Sequence, residues 1–348
     1  MNIPMSPMVD FLVDLLNTPS PTGYTTEAIL LCEQAFSALR IDGLSLRQTP
    51  KGALLLRWQG QHDDAPRGLT AHVDTLGLMV REVKANGTLK VTPLGGLLLN
   101  GAEFENVTVR THDDRRYRGT FMLINPSVHV NRDAAEAKRT PETMEVRLDE
   151  RVSSEAETRA LGIEVGDFIF IDPRVEQTSS GFIKSRFLDD KASVACVYGA
   201  LLALRQAGHR PQQTTHILIA NYEEVGHGGA HGFPPDLAEL VAIDMGALGS
   251  GQNGDEFSTS ICAKDSGGPY HYELTAKLRA LAQAHDIAHK IDIYPHYSSD
   301  GTAYWRSGGG AAVALIGPGV ASSHGYERTH RDALIHSAHL IACYLLSD

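Results

Sequence analysis

Five segments of the chain place metal-binding side chains directly after runs of apolar residues. They are 70–77 (TAHVDTLG), 184–193 (KSRFLDDKAS), 220–229 (ANYEEVGHGG), 241–246 (VAIDMG) and 322–330 (SSHGYERTH). Imidazole and carboxylate ligands together suit zinc, cobalt or manganese better than calcium, which prefers oxygen alone. The pattern therefore predicts a transition-metal site, with these candidate residues: His72, Asp74, Asp189, Glu223, Glu224, Asp244 and His324.

Each of these signals has an ordinary structural explanation when it is taken singly. A pair of Asp residues before a helix is commonly an N-cap with a dipole-favoured neighbour, and a pair of Glu residues is commonly solvated surface. Glu223 and Glu224, however, follow the apolar run ILIANY and precede a Gly-rich turn. That context places both carboxylates at the mouth of a buried sheet, where an unpaired charge is costly.

The elements around these segments alternate between helical and strand-like patterns. Residues 24–40 have helical periodicity, GALLLRW and RGLTAHVD read as strands, and a long helix from Asp189 precedes the strand THILIANY. The strands LVAIDMG, KIDIYP and AAVALIG alternate with a helix near 270–285 and a last helix from Asp332 to Leu346. This pattern predicts an α/β fold, with a mixed sheet covered by helices on both faces and chemistry at the carboxyl ends of its strands.

The stretch 76–180 differs, because it consists of short strands with little helix. Two alternating runs flank Asn86-Gly87, which is a strong hairpin signal. We predict an inserted β-rich, barrel-like domain at 76–180 and a catalytic α/β domain formed by 1–75 and 181–348. Residues 132–146 (RDAAEAKRTPETMEV) are polar and predict a mobile loop.

Bulk properties exclude several classes of function. The 348 residues suit two domains, and the net charge of −11 argues against nucleic acid as a partner. No apolar run reaches the roughly 18 residues of a membrane span, and the N-terminal segment has no basic leader. Four scattered cysteines predict free thiols and, with these features, a cytoplasmic protein without membrane association.

The metal-binding segments together resemble the TET-type glutamyl/leucyl aminopeptidases, in the clan of cocatalytic dinuclear metallo-aminopeptidases. His72-Val73-Asp74 matches the H-x-D motif, Leu188-Asp189-Asp190-Lys191 matches L-D-D-[RK], and Glu223-Glu224-Val225-Gly226 matches E-E-x-G. Ile243-Asp244 matches the I-D motif, and the resemblance covers nearly the whole chain, including 148–173.

The resemblance implies a role for each matching residue. Asp189 would bridge two divalent metal ions, zinc or else cobalt or manganese, with His72 and Asp244 on one ion and Glu224 and His324 on the other. Glu223 would be the general base and Asp74 would orient His72. A cis peptide bond after Asp189 is also implied, and for Asp190 a plain helix-capping role stays open.

The chain departs from the family at the last ligand, where Tyr-x-His-[Ser/Thr]-Pro is usual and Ser322-Ser323-His324-Gly325-Tyr326 stands here. His330 is a second candidate for this ligand. We prefer His324 because it is closer to the strand AAVALIG. His330 would then lie beside the ligands or face the substrate. We interpret His227 and His231 as polar loop residues. His129 could reach a neighbouring subunit, and Asp300 could line the substrate pocket or cap a helix.

The function predicted is the removal of N-terminal residues from short peptides. Alternatives are an amidase or deacylase acting on a small blocked or osmolyte dipeptide, a glycosidase using paired carboxylates, and a non-catalytic scaffold that binds metal for folding. The resemblance also implies homo-oligomers, with dimers formed through the inserted domain and a tetrahedral dodecamer built from them.

Overall fold

The computed structural model describes residues 1–348, which form two compact units. Unit 1 comprises Met1–Asp74 and Arg174–Asp348, and unit 2 comprises Thr75–Pro173. Residues 174–180 belong to unit 1 because β10 (Glu176–Gln177) pairs with β11 (Phe182–Ser185), which in turn pairs with a strand of the large sheet.

Together with β10 and β11, the other elements of unit 1 form a mixed sheet of 13 strands with helices packed on it. They are α1 (Met5–Asn17), α2 (Thr26–Ala38), β1 (Leu44–Gln48), β2 (Leu54–Trp58), β3 (His62–His72), α4 (Leu188–Gln206), β12 (Gln213–Ala220), a 3-10 helix (Glu223–Val225), β13 (Glu239–Ile243), β14 (Gly246–Leu248), β15 (Thr259–Asp265), β16 (Gly268–Pro269), α5 (Tyr272–Ala284), β17 (His289–Ile293), α6 (Asp300–Arg306), β18 (Ala312–Ala321), β19 (Glu327–His330) and α7 (Arg331–Leu346).

Four neighbouring parallel strands form the centre of this sheet, in the spatial order β12, β3, β13, β18. On β13, Leu240 and Ala242 pack in a core cluster with Tyr304 of α6. Val241 and Ile243 alternate with them and are also fully buried, so they face the opposite side, where α4 packs. Burial on both faces confirms the predicted α/β sheet covered by helices, and it explains why these strands are continuously apolar.

Unit 2 is a closed antiparallel barrel whose strands follow the order β4-β5-β8-β7-β6-β9. Its elements are β4 (Gly77–Val83), β5 (Leu89–Leu94), a 3-10 helix (Leu99–Gly101), β6 (Asn106–Arg110), β7 (Arg116–Leu123), a 3-10 helix (Arg132–Ala135), β8 (Met144–Leu148), α3 (Glu155–Ala160) and β9 (Phe168–Ile171). Gly87 has a φ of +84°, which glycine adopts without strain, and it lies in the predicted hairpin turn between β4 and β5.

The loop predicted over 132–146 is shorter in the structure. Residues 132–135 form a 3-10 helix, in which the Asn131 side chain accepts a hydrogen bond from the Asp133 amide. Met144 to Val146 belong to β8, which pairs with β7 and β5. Those pairings are non-local, and the polar composition of the segment concealed them. No helix in either unit combines the length and the apolar character that crossing a membrane requires.

Candidate metal centre

The carboxyl ends of the four central strands deliver most of the predicted ligands to one edge of the sheet. His72 is the last residue of β3, Asp244 follows β13, and His324 lies three residues beyond β18. Glu223 and Glu224 occupy the 3-10 helix that follows β12. Because the four strands are parallel neighbours, their carboxyl ends meet, and side chains distant in sequence converge there.

Asp189 comes to the same place from the start of α4. The preceding Phe187 has a left-handed backbone with φ of +71°, and Asp189 itself is extended rather than helical. The peptide bond between Asp189 and Asp190 is cis, as the family resemblance implied.

The Asp189 carboxylate lies between the two histidines. Its Oδ1 is 3.4 Å from His72 Nε2, and its Oδ2 is 3.6 Å from His324 Nε2. Glu224 Oε2 is 3.5 Å from His324 Nε2, whereas Glu223 Oε2 is 3.6 Å from His72 Nε2. One carboxylate thus faces two separate imidazoles, each accompanied by further acids.

The donor atoms form two groups, within each of which they lie within 4.8 Å of one another. His72, Asp190 and Asp244 form the first group, and Asp189, Glu224 and His324 form the second. Asp190, whose role the sequence left open, is fully buried and accepts a hydrogen bond from the His72 amide at 3.2 Å. It therefore belongs to the centre and is more than a helix cap.

The electrostatics of the cluster fit bound cations. Burial and then the Asp189 carboxylate raise the pKa of Asp244 to about 8, and burial raises the pKa of Glu223 and Glu224 well above the usual range. Burial also acts to raise the pKa of Asp189, but the facing His72 ring holds it below its usual value. So many buried carboxylates are costly without positive charge nearby.

Two buried atoms at the cluster have no hydrogen-bond partner within the chain: His72 Nε2 and Asp190 Oδ1. The other ring nitrogen of His72, Nδ1, is 2.9 Å from the Asp74 backbone oxygen; when it donates there, Nε2 presents its lone pair to the cluster. Unpartnered acceptors among nitrogen and oxygen donors suit a divalent transition metal. The residues present therefore fit the predicted metal ions.

Asp74 connects three parts of the centre. Its carboxylate is fully buried and accepts hydrogen bonds from the Thr22 hydroxyl at 2.7 Å and from the amides of Glu223 and Glu224 at 3.1 and 3.4 Å. Together with the contact between its backbone oxygen and His72, these bonds place Asp74 where it can orient His72, the role that the resemblance implied.

Glu327 has a positioning role that the sequence did not indicate. It is 2% exposed, and its carboxylate accepts hydrogen bonds from the amides of Asp189 at 3.0 Å and His324 at 3.1 Å. Ser323 donates to Asp189 Oδ2 at 2.9 Å. Within the polar run SSHGYERTH, the sequence pattern predicts that Glu327 is exposed on the surface. Its burial becomes evident only from the position of β19 in the structure.

His330 lies away from both donor groups. Its Nδ1 accepts a hydrogen bond from the Asp332 amide and so caps α7, while Nε2 is 2.9 Å from the Ser180 carbonyl oxygen. Both ring nitrogens are engaged there, so neither contacts a predicted ligand, and a substrate-facing role for His330 stays a prediction. His330 is the N-cap of the last helix, α7. A histidine that directly precedes a helix can have this role as readily as a role in a metal site.

Asp300 supports the glycine-rich turn that follows Glu224. It does not cap a helix, because Ser299 is the N-cap of α6. Its carboxylate accepts hydrogen bonds from the Gly229 amide at 2.6 Å and the Thr70 hydroxyl at 3.1 Å. A Cβ at Gly228 or Gly229 would come within 2.3 or 2.7 Å of Asp300, so both glycines are required for this approach.

The remaining predicted histidines are surface residues. His227 is exposed and stacks on the Tyr222 ring at 5.3 Å, and His231 is exposed nearby. His129 is exposed in unit 2.

Comparisons with known proteins agree with the geometry. Residues 52–340 match the family described as M42 glutamyl aminopeptidase. The chain is 46% identical over 339 residues to the "Putative aminopeptidase YhfE" of Bacillus subtilis (strain 168), covering 97% of each protein. It is 25% identical over 243 residues to the lysyl aminopeptidase of Pyrococcus furiosus, covering 68% of this chain and 67% of that one.

Among solved structures, the Pyrococcus horikoshii TET1 peptidase, described as able to assemble into a tetrahedron or a large octahedral shell, has the same fold. The TM-score is 0.83 at 20% identity, over 98% of this chain and 100% of that one. The resemblance inferred from the motifs and the prediction of a peptidase are both confirmed. The chain belongs to the M42 glutamyl aminopeptidase family and is a peptidase.

Proposed function

We propose that this protein is a two-metal aminopeptidase that removes N-terminal residues from short peptides. The observation that carries the proposal is the position of Asp189, whose two carboxylate oxygens face His72 on one side and His324 on the other. A carboxylate shared between two donor groups is the arrangement that holds two ions close together.

His72 and Asp244 would hold one ion, and Glu224 and His324 would hold the other. Asp189 would bind both ions. Asp190 lies beside His72 and belongs to the first donor group. Zinc is the metal that we propose, with cobalt or manganese as substitutes. When bound, the ions would lower the pKa of a water molecule and polarise the scissile carbonyl.

Glu223 is the proposed general base. Its side chain is 13% exposed, against 4% for Glu224, so it is the acid of the pair that solvent reaches more easily. Glu223 accepts a proton from the attacking water as the water oxygen bonds to the carbonyl carbon. It then delivers that proton to the amine nitrogen as the C–N bond breaks, which releases an amino acid and a shortened peptide.

Removal of metal tests this function directly. We expect EDTA to abolish hydrolysis of aminoacyl peptides, and zinc, cobalt or manganese to restore it, because the reaction depends on both donor groups. Inductively coupled plasma mass spectrometry should find about two ions per chain in the active protein.

The same assay separates the proposed function from its alternatives. A panel of free-amine peptides is compared with the same peptides N-acetylated, and an aminopeptidase cleaves only the free-amine series. Cleavage confined to the blocked series would support the amidase or deacylase instead. Full activity after complete metal removal would contradict the metal-dependent mechanism.

The proposal includes a homo-oligomer assembled through the barrel of unit 2, with dimers as the first step towards a tetrahedral dodecamer. Unit 2 exposes six large apolar side chains: Leu98, Phe104, Ile124, Val128, Val130 and Val165. A contiguous exposed apolar patch commonly marks a contact between proteins, and these side chains are the candidates for such a patch. Light scattering on the purified chain should give a multiple of the 37.7 kDa protomer, and a stable monomer would contradict this part of the proposal.

We also propose that the protein works in the reducing cytoplasm. All four cysteines are buried and unpaired, as the sequence predicted, which suits a compartment where disulfides do not form.

A further inference from the structure

A cavity of about 450 Å³ lies on one face of the large sheet, where β1 forms the edge. None of the residues that line it belongs to the two donor groups of the metal centre. Its volume falls in the range of roughly 300 to 1,000 Å³ that small-molecule sites occupy. The cavity is therefore a candidate binding site separate from the metal centre.

The register of three neighbouring strands brings polar side chains of this cavity into one row. Ser45 of β1 pairs with Arg57 of β2, and Arg57 pairs with His216 of β12. Residues that pair directly across strands share a face of the sheet, and so does Arg47, two residues along β1 from Ser45. Two guanidinium groups and an imidazole therefore line the same cavity.

An apolar surface adjoins these cationic side chains. Leu55 pairs with Arg47 and belongs to a buried cluster against which Phe233 packs. The Phe233 ring lies edge-on against Tyr304 with centroids 6.0 Å apart, so packing fixes its position in the cavity wall. An apolar wall beside a few convergent polar groups suits a ligand with an anionic end and an apolar body.

Two carboxylates lie near the cationic groups, but they do not neutralise them. Asp63 Oδ1 is 3.6 Å from Arg57 Nη2, and the two side chains are 63% and 46% exposed, so this pair is weak and easily exchanged. Asp236 also faces His216, and neither it nor Arg47 forms an ion pair. Burial and then the Arg57 charge lower the pKa of His216, which keeps its ring neutral at pH 7.

The neutral His216 ring presents a proton donor to the cavity. Its Nδ1 is buried and has no hydrogen-bond partner within the chain. A neutral imidazole carries a single N–H, and a buried N–H without an acceptor is costly, so we expect the proton on Nε2. Nε2 is the ring nitrogen that a ligand in the cavity can reach.

We propose that this cavity binds a small organic phosphate monoester through its phosphate group. Arg47 and Arg57 donate to the phosphate oxygens, and His216 donates through Nε2. The apolar body of the ligand lies against Phe233. A phosphate monoester offers three terminal oxygens to these three donor groups, whereas a carboxylate offers only two, and guanidinium groups bind phosphate in a bidentate manner. This binding role goes beyond the proposed aminopeptidase function and does not depend on it.

Isothermal titration calorimetry with phenyl phosphate tests this site on the metal-loaded full-length protein. Saturating leucine hydroxamate is included, because a hydroxamate chelates metal ions and keeps phosphate away from them. We expect one site per chain, with a dissociation constant below about 1 mM. Arg57→Met and Arg47→Met should each weaken binding by about tenfold or more, since each removes hydrogen bonds to a charged group.

Arg279→Met is the matched control. Arg279 is an exposed arginine of α5 that does not line the cavity, so its loss should change phenyl phosphate affinity by less than about twofold. Because Arg47 and Arg57 lie outside the metal centre, all three variants should keep the unfolding temperature and the leucyl-alanine hydrolysis of the parent protein. These two measurements confirm that weakened binding does not come from misfolding.

Two further ligands test the chemistry of the site. Benzoate keeps the aromatic ring but has a carboxylate, and inorganic phosphate keeps the oxygens but has no ring. Each should bind at least about tenfold more weakly than phenyl phosphate, because each loses one of the two kinds of contact.

Four outcomes would overturn the proposal. They are no binding of phenyl phosphate at concentrations up to about 10 mM, binding that disappears when leucine hydroxamate is present, unchanged affinity in both arginine variants, and equal affinity for benzoate or inorganic phosphate. The second outcome would assign the phosphate to the metal centre, and the last would show that the cavity does not recognise a phosphate monoester.

Discussion

Glu223→Gln is expected to lower kcat by roughly 100-fold to 10,000-fold, the contribution typical of a positioned general base. The amide keeps the size and polarity of the side chain but cannot accept the proton of the attacking water. Metal content should stay at that of the parent protein, because the donor groups at His72 and His324 do not include Glu223. Steady-state kinetics on aminoacyl peptides and metal analysis of the same sample measure both effects.

Glu273→Gln serves as the control for this substitution. Glu273 is a glutamate in the first turn of α5 whose side chain is 76% exposed, so its loss should leave kcat and metal content unchanged. A fully active Glu223→Gln protein would show that another group takes the proton. A variant that loses its metal would show that Glu223 is a ligand.

Asp189→Asn is expected to disturb both donor groups at once. An asparagine offers one oxygen and one NH2 group, and the NH2 group cannot bind a cation. Because Asp189 faces His72 and His324 with different oxygens, the substitution leaves at least one histidine opposite a group that repels metal. Metal content should fall from about two ions to at most one per chain, and activity should fall at least as far as in Glu223→Gln.

Two comparisons make this prediction specific to the shared carboxylate. Asp244→Asn affects only the group that contains His72, so it should spare the ion held by Glu224 and His324. Asp10→Asn, on the exposed side of α1, should retain both ions. If Asp189→Asn kept both ions with full activity, the assignment of Asp189 as the shared ligand would be wrong.

The motifs predicted much of this protein because they are local. Apolar runs that end in His, Asp or Glu identified the strands and the residues at their ends, and the Asn86-Gly87 turn identified the first hairpin of the barrel. Buried thiols could be expected from the apolar periodicity around Cys196 and Cys343. Each inference needed only a window of a few residues, within which side-chain alternation is set by backbone geometry.

Other features depend on contacts between residues far apart in the chain, and only the tertiary structure decided them. Glu327 is buried where its carboxylate accepts a hydrogen bond from the Asp189 amide, which is 138 residues away in sequence. His324 and His330 both follow β18, and no periodicity distinguishes a residue beside Asp189 from the cap of α7.

Asp190 shows the same limit. The second acid of a pair carries no local sign of what it faces. Its surroundings depend on the parallel pairing of β3, β12, β13 and β18, which lie more than 200 residues apart in sequence at the extremes. Residue types determined which chemistry this chain could carry out. The register of those strands decided which side chains meet to do it, because register depends on packing across the whole sheet.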